Sequence, residues 1–184
     1  LIGAISAIVM LFEIPLWFAP PFYELDFSEI FVLIGGFALG PLAAVIIELV
    51  KIVVNTLITG TTTAFVGELA NFVVGCAFVV PATVIYKYNK KRSGAILGLI
   101  MGILSFGLIG CLVNYYVMLP LYSQFMPLDE IIAMGADKNE NINSLFTFVL
   151  FATLPFNLFK GVLSSIITFI IYKHVSPILH KQLD

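Results

Sequence analysis

Residues 144–172, SLFTFVLFATLPFNLFKGVLSSIITFIIY, form an apolar run long enough to cross a bilayer, and comparable runs recur along the whole chain. A crossing takes about 20 helical residues, because in hydrocarbon every backbone amide must find its partner within its own segment. A chain assembled from such runs folds as a bundle of membrane-spanning helices. Composition agrees: charged residues make up 11% of 184 and hydrophobic ones 60%, against about 25% charged in an average soluble domain. At a net charge of −2 there is no basic field to hold nucleic acid.

Six spans are predicted in one integral membrane domain, 1–184, at about 1–15, 29–40, 41–58, 65–86, 94–119 and 144–172. The second is short for a full crossing. The third opens with Pro41, a residue favoured in a first helical turn. Residues 17–28 (WFAPPFYELDFS) and 120–143 read as the two long loops, and 59–64 as a tight turn. Lys87, Lys90, Lys91 and Arg92, with Lys173 and Lys181 in the tail, put six of the nine basic residues on one side, which the positive-inside rule makes cytoplasmic. The expectation is an all-α, six-helix bundle with both termini cytoplasmic and long outer loops after helices 1 and 5.

The polar residues inside these runs carry the functional information. Lys160 lies deep in the last run, where an ammonium without a partner or cavity costs at least about 2.5–3.5 kcal/mol. Asn157 is three residues earlier and shares its helix face. Asn71 and Asn114 fall in the outer half of their spans, Glu68 one turn before Asn71, and Glu48, Lys51 and Asn55 form one stripe. Such groups must face one another or a cavity. Each also has a plainer role. Glu48 and Lys51 suit an intrahelical ion pair, the two asparagines suit interhelical hydrogen bonds, and Glu68 suits contact with headgroups. The Asn157–Lys160 pair points most directly to a polar solute bound inside the membrane domain.

Aromatics crowd the outer ends: Trp17, Phe18, Phe22, Tyr23 and Phe27 in the first loop, Tyr115, Tyr116, Tyr122 and Phe125 around the fifth span. They suit either an interfacial belt or a lid over a planar ligand. Gly94, Gly98, Gly102 and Gly110 repeat on helical period, as do Gly3 and Ala7, so each stripe marks close helix contact, within the fold or, for span one, with another subunit. Cys76 and Cys111 lie inside apolar spans and read as packing residues, with no metal or disulfide implied. No phosphate-binding loop or HExxH pattern occurs, and His174 and His180 sit at the cytoplasmic end. A membrane enzyme acting on a lipid or isoprenoid would need clustered acids or a nucleophile–base pair, and a self-sufficient secondary transporter would more often show repeat symmetry.

Five stretches carry a resemblance: ELDFSEI (24–30), GGFALGP (35–41), GELANFVVG (67–75), NYYVMLPLY (114–122) and PFNLFKG (155–161). They resemble the riboflavin-specific substrate-binding component of energy-coupling factor (ECF) vitamin transporters of bacterial plasma membranes. The one departure is Phe31, where proline is expected. The resemblance implies a non-enzymatic protein with riboflavin as transported ligand and no cofactor. Asn157 and Lys160 would hydrogen-bond the flavin, with Asn114 and Asn71 in the same polar set. Glu24, Leu25, Asp26 and Phe27 would cover it. It further implies assembly with a transmembrane coupling subunit and two cytoplasmic ATPases, docked through Gly3 and Ala7.

Overall fold

The computed structural model describes the backbone of residues 1–180 and the side chains of residues 1–172. The basic side chains of Lys173 and Lys181 and the imidazoles of His174 and His180, all assigned to the cytoplasmic end, lie outside the described residues. The elements are α1 (Ile2–Met10), a two-residue antiparallel ladder of β1 (Ile14–Pro15) with β2 (Glu24–Leu25), α2 (Ser28–Leu39), α3 (Pro41–Thr59), α4 (Val66–Tyr88), α5 (Arg92–Tyr122), α6 (Leu128–Ala136) and α7 (Leu145–Tyr172, continuing to His180). Among the described residues the secondary structure is all helix apart from that ladder.

Among the described residues four helices, α3, α4, α5 and α7, are long and apolar enough to cross a membrane; α2 is apolar but only 12 residues long. The first helix ends at Met10 and not near Pro15. The residues beyond it turn back as the β1–β2 ladder. The second long loop, read from sequence as irregular, contains α6, whose Ile131 packs with Leu119, Ile142 and Phe148. Pro41 does occupy the first turn of α3, after Gly40 at a φ of 97°. Residues 60–65 reverse the chain through Gly60, Ala64 and Phe65, all at positive φ.

The core lies between α2, α3, α4 and α5, centred on Leu33, Phe37, Phe78, Val79, Ala82 and Leu99. The glycine stripe of α5 accounts for the closest contact. A Cβ at Gly98 would stand 2.5 Å from the Ala82 carbonyl oxygen, and one at Gly102 2.6 Å from that of Phe78. Any side chain there would push α5 off α4.

The same logic corrects the reading of Gly3 and Ala7. Ala7 is fully buried, and a Cβ at Gly3 would meet Val50 Cγ1 at 2.7 Å and the Ile47 carbonyl at 3.2 Å. Within this chain the stripe seats α1 on α3. A small-residue stripe reports close approach without reporting to what.

Candidate functional site

A cavity of about 480 Å³ opens at the end of the bundle opposite the basic α4–α5 turn. It is walled by the C-terminal part of α3 (Ile52, Asn55, Thr56), the start of α4 (Glu68, Ala70, Asn71, Val74), the C-terminal part of α5 (Phe106, Asn114, Met118, Tyr122) and α7 (Phe156, Asn157, Lys160). Its remaining side is the loop after α1, which contributes Glu13, Phe22, Tyr23, Glu24 and Asp26. Of the sequence-predicted residues, Asn157, Lys160, Asn114, Asn71, Glu24 and Asp26 meet here. Leu25 and Phe27 do not line it: Leu25 is a buried residue of β2, and Phe27 precedes the first turn of α2.

The loop rests on one stripe of α7. Phe18 meets Phe159 edge-on at 5.5 Å, Tyr23 stacks on Phe156 at 5.1 Å, and Phe22 lies parallel to Phe148 at 6.1 Å. Asp26 fixes its far end. One carboxylate oxygen accepts from the Ser28 backbone N–H at 2.9 Å and from the Ser28 hydroxyl; the other accepts from Lys160 Nζ at 2.5 Å. Burial opposes ionisation of Asp26, but Lys160 and Lys51 outweigh it and hold the carboxyl well below the usual carboxylate range. Lys160 is therefore not an unpaired ammonium awaiting a ligand. Its first partner lies in the loop, 134 residues away in sequence.

The asparagines differ in availability. Asn114 Nδ2 donates to the Gly110 carbonyl at 2.9 Å, and its Oδ1 accepts from the Tyr23 hydroxyl at 2.9 Å. Asn157 is buried, yet its Nδ2 has no hydrogen-bond partner. A buried amide donor left unpaired costs about 1–3 kcal/mol; Asn157 lines the cavity, with its Nδ2 packed against Gly110 of α5. A turn of that amide about its side-chain bond would bring the donor to a solute's acceptor. Asn71 is exposed at the rim.

Charge around the cavity is lopsided. Glu13, Glu24, Asp26, Glu29 and Glu68 line it against Lys160 alone. Glu29 belongs to a buried cluster: Lys51 Nζ lies 2.7 Å from Glu29 Oε1 and 2.8 Å from Glu48 Oε1. The Glu48–Lys51 pair expected within α3 thus exists, with a second acid from α2. Room for it comes from Gly75, where a Cβ would fall 2.1 Å from Glu48 Oε1. Sequence reasoning missed Glu13 and Phe156. Glu13 was assigned to the first span, and Phe156 is one of many aromatics in an apolar run. Burial, a hydrogen bond with Glu24 and the charges of Glu24 and Asp26 push the Glu13 carboxyl up to about 7.

The profile of the family described as "ECF transporter, substrate-specific component" matches residues 1–172. The Staphylococcus aureus protein named riboflavin transporter RibU is 31% identical over 181 residues, covering 98% of this chain and 89% of the relative. The Bacillus subtilis riboflavin transporter FmnP is 26% identical over 183 residues, covering 99% and 92%. A solved structure described as the S component of a bacterial ECF transporter superposes with a TM-score of 0.74 at 30% identity, covering 97% of this chain and 92% of that one.

Proposed function

We infer that this chain, which belongs to the family of substrate-specific components of ECF transporters, binds riboflavin in the cavity beneath its first loop. It would deliver the vitamin to a membrane-embedded coupling subunit and two ATPase subunits that hydrolyse ATP. The curated relatives named riboflavin transporters support the substrate. The observation that carries the site is the cavity itself, with the unpaired Asn157 amide set among aromatic walls. Its volume of about 480 Å³ lies within the roughly 300–1,000 Å³ typical of small-molecule sites.

The chemistry fits in detail. Riboflavin has a flat ring for Phe156, Phe22 and Tyr122, ring carbonyls for the Asn157 donor, and ribityl hydroxyls for the polar rim around Asn71, Asn55 and Glu68. Lys160 offers donors only, and Asp26 already takes one of them. The surplus of carboxylates disfavours an anionic solute and suits an uncharged one. By the positive-inside rule, the basic turn at Lys87–Arg92 sets the opposite end, and hence the cavity, outside the cell. On this reading the chain is a six-span single domain of the plasma membrane with both termini cytoplasmic. There α1 and α2 join the four long helices as shorter spans.

The test is spectroscopic. The purified chain should quench flavin fluorescence saturably on titration, and Asn157→Leu should weaken that binding by about three- to tenfold or more, since a net hydrogen bond is worth about 0.5–1.5 kcal/mol. Folded protein that gives no saturable quenching would remove the assignment.

A further inference from the structure

Two helices of this protein each contain a π-turn, Asn114–Met118 in α5 and Val149–Thr153 in α7, and the two turns pack against each other beside the cavity. Such turns widen a helix by one residue and redirect its side chains. One hydroxyl joins them. Tyr23, in the loop above, donates to Asn114 Oδ1 at 2.9 Å and lies 2.7 Å from Thr153 Oγ1. With its proton given to Asn114, it accepts from Thr153. Asn114 and Thr153 are the first residue of one π-turn and the last of the other. Thr153 is buried, and Asn114 is held on its other side by the Gly110 carbonyl.

We propose that Tyr23 is the positioning residue of this cavity: its hydroxyl ties the covering loop to both π-turns and sets how long a bound ligand stays. The inference rests on the riboflavin reading for its ligand, though not for its geometry. Three features of the site lead to it. Tyr23 makes the loop's hydrogen bonds to α5 and α7 at a point distinct from the Asp26–Lys160 pair. Its ring, stacked on Phe156, also lines the cavity, so the hydroxyl and the ring serve separable purposes. Finally, the amide of Asn114 is oriented by Tyr23 and Gly110 together. Loss of the hydroxyl would let that amide turn and leave its Oδ1 without this donor.

Tyr23→Phe keeps the ring and removes only the hydroxyl; Thr153→Val keeps the shape of its partner. Riboflavin association and dissociation rates are measured by stopped-flow fluorescence on the intact chain for both variants and their combination. Dissociation should quicken about tenfold in each, association should change less than threefold, and the double variant should be no faster than the quicker single. Dissociation within twofold of the parent in Tyr23→Phe overturns the proposal, as does a double variant whose effects multiply. So does a lowered melting temperature with unchanged dissociation, which is what a purely structural tyrosine gives. Hydrogen exchange of the ligand-free protein separates this from the riboflavin assignment. Tyr23→Phe should speed exchange in residues 14–27, 114–118 and 149–153 while leaving α3 and the C-terminal half of α4 unchanged. If the parent binds no flavin yet this exchange pattern appears, the clasp stands and the ligand is wrong. If exchange is unaltered, the clasp is wrong whatever binds.

Discussion

Replacing Lys160 with methionine separates two roles that the sequence alone runs together. Were Lys160 an unpaired ammonium, Lys160→Met would relieve a buried charge and the empty protein would hold or gain stability. The structure reverses the expected sign. Lys160 Nζ is paired with Asp26 Oδ2 at 2.5 Å, with side-chain exposures of 12% and 7%. Removing one member of a buried pair typically costs about 3–5 kcal/mol, because the partner is left charged in a poor dielectric. Asp26 keeps its two bonds from Ser28, and the loop can carry it toward water, so the low end applies, about 3 kcal/mol. For a chain of this size that is a fall of roughly 6–12 °C in melting temperature. Lys160→Met/Asp26→Asn removes both charges and should regain most of the loss. Melting of the four ligand-free proteins in one detergent, with riboflavin titrations beside it, decides the matter. If the double variant regains stability but binds riboflavin about tenfold more weakly than Asp26→Asn alone, Lys160 also touches the ligand. A Lys160→Met protein as stable as its parent would refute the pairing argument, as would a double variant no more stable than the single.

The long helices were legible because hydropathy and span length are local properties: α3, α4 and α5 begin and end within a few residues of where the apolar runs do, and α7 begins where its run does and continues to His180. The start of α3 was legible from Pro41. What the sequence hid were pairings over distance. No periodicity links Asp26 to Lys160, or Tyr23 to Asn114 and Thr153, since each partner lies roughly half the chain or more away. The direction of the Gly3–Ala7 stripe was hidden for a related reason: a pattern of small residues fixes the distance of closest approach and leaves the neighbour open. The stripe in α5 looked the same in sequence, and both are satisfied internally. The site was half legible. Polar residues in apolar runs announced a cavity, but which of them had already found protein partners could only be read in three dimensions. Asn114 had, and the Asn157 amide nitrogen had not.

Four further outcomes follow from these contacts. Lys51→Met leaves Glu29 and Glu48 buried together without their shared cation, so it should lower the ligand-free melting temperature by the equivalent of about 3–5 kcal/mol, and adding Glu48→Gln should recover part of this. Ala7→Leu forces a large side chain into the α1–α3 contact and should cost about 1–3 kcal/mol of stability, reducing folded yield before any effect on partner assembly is seen. Glu13, pushed up to about 7 from 4.5, holds a proton in the closed ladder through a range where the open loop has lost it. Closure is therefore most stable below about pH 4.5 and weakens as pH rises toward 7. Hydrogen exchange of residues 13–25 should quicken from pH 5 to 8 after correction for intrinsic rates, and Glu13→Gln should flatten that profile. Gly110→Ala tests the unpaired amide without replacing its side chain. A Cβ there would stand 2.1 Å from Asn157 Nδ2, with Val74 Cγ1 the next side-chain contact outside Asn157, at 3.6 Å. The only group that must move is the end of a flexible side chain, while alanine in mid-helix gains about 0.5–1 kcal/mol over glycine. Melting temperature should hold or rise, and riboflavin affinity should fall about three- to tenfold as Asn157 swings away from its acceptor. Unchanged affinity in a protein of unchanged stability would show that the Asn157 amide does not read the ligand, however well it is placed to do so.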